Sequence, residues 1–173
     1  MNIKELIKQE ESENLEFKSS LSDVNRIIEE IAGFANTSGG CLVIGVDEKG
    51  EVKGIGIGKN TIESLSNKIT DNTDPRIYPK ISVQEIGSKK IILIEAKRSK
   101  NRPCLAFGKA FKRVGNVTKS MSRDEYGRMS NKEYRGLFPG ITDKTAYRDL
   151  QDMVEKGLIK PMGELKGRHY VRA

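Results

Sequence analysis

With 173 residues, 36% of them hydrophobic and 32% charged, the chain can form one mid-sized domain, or one with a small appendage, around a modest core. No apolar run approaches the roughly 20 residues that span a bilayer, and the start MNIKELIKQEE lacks the order of a signal peptide, so a cytoplasmic protein with free thiols at Cys41 and Cys104 is expected. The formal net charge of +7 and pI near 9.4 suit a polyanionic partner, whereas 6% aromatics without Trp count against large stacking platforms and two Cys with the lone His169 are too few for a zinc site.

Residues 2–30 run against the overall charge, with eight acids and four bases. In LEFK the alternation predicts a strand with Leu15 and Phe17 on one face and Glu16 and Lys18 on the other. Val24, Ile27, Ile28, Ile31, Ala32 and Ala35 recur at helical spacing; Ser22 is the expected N-cap and SGG at 38–40 the stop. CLVIGVD reads as a buried strand, EKG as a turn and EVKGIGI as the returning hairpin partner. Ile62, Leu65 and Ile69 mark a second helix ending near DNTDPR. ISVQEI and KKIILIEAK flank GS as another hairpin, and AFKRVG is a last short strand. The hairpins favour a mixed or antiparallel sheet with flanking helices, so the fold class expected is α+β.

The pattern changes near Ser130, where a boundary between residues 1–129 and 130–173 is drawn. SNKE is a capping box that opens a short helix through Leu137 and Phe138. PGI breaks it, Thr142 caps the next, and Ala146, Leu150, Met153 and Val154 form an apolar stripe closed by Gly157. Two β-like pieces, Leu158–Lys160 and His169–Arg172, then surround a basic loop. Helix, turn, helix and hairpin are the parts of a small winged helix-turn-helix.

Nine basic residues lie between Ala96 and Arg123 with no acid among them, and a block this one-sided attracts phosphates. From it Lys97, Arg98, Lys112, Arg113 and Lys119 are candidate nucleic-acid contacts. On the 143–156 helix Lys144, Thr145, Tyr147 and Arg148 can reach base edges or phosphates if that helix enters a major groove, with Lys166 and Arg168 on or beside the wing. The acids admit two readings. Glu16 and Lys18 pair with neighbours on a solvated sheet face, the reading that spacing alone favours. Alternatively Glu11, Glu16 and Asp47, or Glu48 beside it, converge as oxygen ligands for Mg²⁺ or Mn²⁺. GIGIGKNT is not a phosphate loop, because Asn60 replaces the required Ser or Thr and the glycine spacing differs. A Ser-His-Asp triad would need His169, which falls in the wing.

The stretches LEFKSSL, EIAGFANTSGGCLVIGVDEKGEVKGI, Arg102–Pro103 and FKRVGNVTKSMSRDE resemble, in order and spacing, the Schlafen-type AlbA-like domain, a domain described as DNA-binding. The likeness runs from about Glu10 to Arg128. TDKTAYRDLQDMVEKGLI followed by GRHYV resembles the winged helix that often ends bacterial and archaeal members described as transcriptional regulators. In longer relatives an ATPase-like module separates the two parts, and it is missing between them here. The resemblance also implies a second activity. Some animal Schlafen proteins are metal-dependent endoribonucleases acting on transfer or ribosomal RNA with two glutamates and an aspartate. Their Glu-x-x-x-x-Glu-Phe-Lys pattern corresponds to Glu11, Glu16, Phe17 and Lys18, with Asp47 or Glu48 as the third acid.

The function expected is a DNA-binding transcriptional regulator, acting as a homodimer on duplex DNA because helix-turn-helix proteins commonly read two half-sites, with no cofactor. The alternative is a divalent-metal endoribonuclease on RNA, with Glu11, Glu16 and Asp47 as catalytic and metal residues and Mg²⁺ or Mn²⁺ as cofactor. A protein–protein adaptor that docks an acidic partner is the third class.

Overall fold

The stripe at 24–35 forms a helix, α2 (Val24–Asn36), and the first part of the molecule is built around it. The computed structural model describes residues 2–122, 125, 127–164 and 168–172. The chain divides into two units, Met1–Met121 and Ser122–Ala173.

In the first unit a short α1 (Ile3–Leu6) precedes β1 (Leu15–Lys18), and β2 (Gly40–Ile44) follows α2. Next come α3 (Thr61–Asp71), β3 (Thr73–Asp74), β4 (Lys80–Ile86) and β5 (Lys89–Ala96), then β6 (Leu105–Ala106), β7 (Lys109–Val114) and β8 (Val117–Ser120). One mixed sheet has the order β1-β2-β5-β4, with β1 parallel to β2 and the other pairs antiparallel. A second, antiparallel sheet has the order β3-β6-β7-β8. The expected α+β class with mixed and antiparallel strands is the one observed.

Helix α2 packs against both sheets, and this decides much of what the sequence pattern hid. Its apolar side chains meet Leu42, Ile44, Ile92 and Ile94 of the first sheet and Ala106 and Phe111 of the second in one core. Glu30, Gly33 and Phe34, which lie outside the sequence stripe, are therefore buried as well. A Cβ on Gly33 would sit 3.1 Å from the Thr118 hydroxyl, so the second sheet approaches the helix where no side chain intervenes. The N-cap is Asp23 rather than Ser22, its carboxylate accepting the Arg26 N–H at 3.0 Å. At the other end a Cβ on Gly40 would lie 2.4 Å from the Phe34 ring, so β2 starts at a glycine by necessity.

The far face of the first sheet is covered too. Leu15, Phe17, Val43, Val46, Ile91 and Leu93 pack with Leu6 of α1 in a second cluster. Burial on both faces explains the unbroken apolar runs in β2 and β5. The hairpin expected between CLVIGVD and EVKGIGI does not form. β2 is hydrogen-bonded to β1 on one side and β5 on the other, so no edge remains for residues 51–57. They contribute one bridge, Val46 to Val52, and the Ile55 N–H then donates to the Lys90 carbonyl.

In the second unit the capping box forms: the Ser130 hydroxyl accepts from the Glu133 N–H and the Glu133 carboxylate from the Ser130 N–H, opening α4 (Asn131–Leu137). Thr142 caps α5 (Asp143–Glu155), and β9 (Ile159–Met162) pairs antiparallel with β10 (His169–Arg172). Tyr134, Ala146, Leu150 and Tyr170 make its small core. Within this unit Met129 exchanges two backbone hydrogen bonds with Tyr170. Among the described residues no helix is long and apolar enough to cross a membrane.

Candidate functional site

The acidic stretch and the basic block meet inside the first unit rather than on its surface. Parallel register sets Glu16 beside Leu42, whose side chain faces α2, so Glu16 is buried and not on a solvated face. On β7 the two-residue period turns Phe111 and Arg113 inward together. The Arg113 Nη1 lies 2.9 Å from Glu16 Oε2, 2.6 Å from Glu30 Oε2 and 3.1 Å from the Thr118 hydroxyl. Its Nη2 donates to the Ser12 carbonyl at 2.6 Å, and the guanidinium sits 4.9 Å above the Phe34 ring. Lys18 pairs with Glu16, and Arg26 Nε lies 3.0 Å from Glu30. The Arg113 side chain has no exposure at all, which corrects its assignment as a nucleic-acid contact: it is the central cation of a buried ionic cluster. Glu30 went unnoticed in the sequence. Its one signal was an Arg26–Glu30 spacing of four on the helix.

Glu11 lies at the edge of this cluster and accepts the Phe17 N–H at 2.9 Å. Burial raises its pKa above the ordinary 4.5, and the like charges of Glu16 and Glu48 add to the rise, against the opposing pull of the Phe17 N–H and Lys18. The folded chain thus holds this proton more tightly than the unfolded one, so Glu11 lowers stability as pH climbs from 4.5 through the raised value. Glu11→Gln is expected to gain on the wild type across that window and to hold the gain above it, as followed by urea denaturation at stepped pH.

Asp47 does other work. Its Oδ1 accepts the Lys49 and Glu51 N–H groups at 3.0 and 2.9 Å, and Lys53 Nζ lies 3.0 Å from Oδ2. The Lys53 hydrogen bond, helped by both backbone donors, holds its carboxyl below the ordinary range. Asp47 therefore shapes the 47–51 turn, and of the neighbours Asp47 and Glu48 it is Glu48 whose charge acts on Glu11. Glu16 is held by Arg113 and Lys18, and Asp47 by Lys53 and two backbone N–H groups. Among the described residues no three Cys, His, Asp or Glu side chains are grouped to hold a metal ion.

The other candidate contacts of the basic block, Lys97, Arg98, Lys112 and Lys119, occupy two places. Lys97 and Arg98, directly after β5, line an open cleft of about 1120 Å³ together with Arg76, Lys80 and Tyr78. Lys80 is answered by Glu95 at 2.7 Å, whereas Arg76, Lys97 and Arg98 make no ion pair among the described residues. Lys112 and Lys119 stand opposite each other across β7 and β8, on the face turned away from Phe111 and Arg113. Arg76 was missed because it lies outside the basic block.

In the second unit Lys144, Tyr147 and Arg148 are exposed on α5. The Thr145 N–H donates to the Thr142 hydroxyl at 3.1 Å and its own hydroxyl meets the same oxygen, so Thr145 belongs to the helix cap. Arg168 and Tyr147 line a hollow of about 630 Å³ with Lys132 and Arg135, two cations the sequence reading passed over. Lys166 lies outside the described residues.

A family model described as Schlafen, AlbA_2 matches residues 11–122. Among solved structures, the DIP2311 protein of Corynebacterium diphtheriae is similar with a TM-score of 0.55 and 19% identity, over 71% of this chain and 24% of that one. The N-terminal domain of a RecG-related protein of Nitrosomonas europaea is similar with a TM-score of 0.46 and 20% identity, over 69% and 90%. The likeness thus spans about a quarter of the Corynebacterium protein. A comparison with curated proteins gives no match.

Proposed function

Because the chain belongs to the Schlafen AlbA_2 family, we propose that it binds nucleic acid, and that its finer role is that of a homodimeric, cytoplasmic regulator of transcription acting on duplex DNA. The observation that carries this reading is the group of cations without acidic partners among the described residues, Arg76, Lys97 and Arg98, gathered at one cleft of the first unit. Lysine or arginine left in water releases condensed counterions when it meets a phosphate, which is the main source of sequence-independent affinity.

Readout of sequence is assigned to the second unit, taken as a winged helix. A capped helix, a tight connection and a second capped helix supply the helix-turn-helix, and β9–β10 supplies the wing. Lys144, Tyr147 and Arg148 stand exposed on α5, where side chains can meet base edges while Arg168 meets the backbone. The endoribonuclease reading gains no support from the acids, since Glu16 and Asp47 are each committed to nearby cations.

Selection of bound sequences from a random duplex pool tests the proposal. A defined motif is expected, and Arg148→Ala should cut the preference for it over a scrambled site by about 5- to 150-fold, the worth of one good base contact. Recovery of no motif, or an unchanged preference in the variant, would remove the regulator from consideration.

A further inference from the structure

Tyr78 is an aromatic side chain held out into water. It is 74% exposed, on the segment joining β3 to β4, at the wall of the cleft that carries Arg76, Lys97 and Arg98. Its backbone is not loose. The preceding Ile77 is packed into the main core, and its N–H donates to the Thr73 hydroxyl at 2.9 Å, which in turn donates to the Ile69 carbonyl at 2.9 Å. β4 begins two residues later. The backbone beneath the ring is therefore fixed on both sides, while the ring itself touches no other aromatic among the described residues.

From this we infer that the cleft of the first unit takes an unpaired stretch of nucleic acid, with a base stacked on Tyr78 and the adjoining phosphates held by Arg76, Lys97 and Arg98. The inference rests on the nucleic-acid reading above and narrows it to a class of ligand for this cleft. An exposed ring beside cations matches the two parts of a nucleotide, a flat π-face and a charged backbone. In a duplex the π-faces are already stacked on one another, so only an unpaired base can use the ring. The cleft is open rather than enclosed, and its volume of about 1120 Å³ exceeds what one nucleotide fills, which suits a strand passing through. Two acids, Glu5 and Glu95, also line it; Lys80 neutralises Glu95, and Glu5 is paired with Lys8. Low aromatic content excludes a row of stacking rings but leaves room for one.

Fluorescence anisotropy on the full chain separates the possibilities, with a short oligothymidylate and a blunt duplex as probes. Tyr78→Ala is expected to weaken oligothymidylate binding by about 5- to 150-fold and to leave the duplex constant unchanged. Tyr78→Phe keeps the π-face and should bind both probes as the wild type does. Melting curves for both variants should match the wild type, since the ring lies outside the core. Equal weakening on both probes, or no weakening on the oligothymidylate, would overturn the inference. Wild-type binding to the duplex without binding to the strand would sink it while the proposed function stands; binding to neither probe would remove both.

Discussion

Arg113→Met is expected to destabilise the first unit by about 3–5 kcal/mol, measured as the shift in urea denaturation of the full chain. The guanidinium is the shared partner of two buried carboxylates, Glu16 and Glu30, and removing it leaves both charges in a place water does not reach. Lys18 still reaches Glu16, and Arg26 and Thr118 still reach Glu30, which keeps the loss toward the lower end of that range. Arg113→Lys should recover little, because one ammonium cannot reproduce contacts to two carboxylates, a hydroxyl and the Ser12 carbonyl from a planar fork. Adding Glu16→Gln and Glu30→Gln to Arg113→Met should restore part of the loss, since no buried charge then lacks a partner. A surface phosphate contact at this position would behave differently: its substitution would change stability by no more than about 0.5 kcal/mol.

The same cluster shows where the sequence was legible. Helix α2, the β4–β5 hairpin, the strand at LEFK, the capping box at Ser130 and the Thr142 cap were all readable, because each is fixed by local spacing over fewer than twenty residues. The fate of charged side chains was not. Arg113 looked like its neighbours in a run of cations, and only the packing of a second sheet on α2 turns it inward. Glu30 lies on the flank of an amphipathic helix that a single-sheet fold would have left in water. Asp47 resembled a strand-end acid, yet its hydrogen bonds go to a turn two to four residues downstream. The partnership of β2 with β1 was equally hidden, since a parallel pair needs α2 as its connection and leaves no local turn signal. Arg76 and Tyr78 join the cleft from a segment that carries no motif, about twenty residues before Lys97.

Lys97→Ala combined with Arg98→Ala is expected to flatten the salt dependence of duplex binding by about 1.8 in the log–log slope, two contacts at roughly 0.9 each. Over a fourfold rise in salt that difference amounts to about 12-fold in affinity. Both are exposed, follow the end of β5 and make no ion pair among the described residues, so their loss leaves the core intact. Lys80→Ala is the matched comparison. Its ammonium is occupied by Glu95 at 2.7 Å, and removing one member of an exposed pair should change slope and stability little. Melting temperatures of both variants should stay near that of the wild type, unlike that of Arg113→Met.

The most direct measurement is therefore a salt titration of duplex DNA binding, wild type beside the Lys97→Ala/Arg98→Ala variant. A steep wild-type slope that falls by about 1.8 in the variant, with sequence preference retained, is the predicted result. Identical slopes for the two proteins would contradict a phosphate-binding role for the cleft.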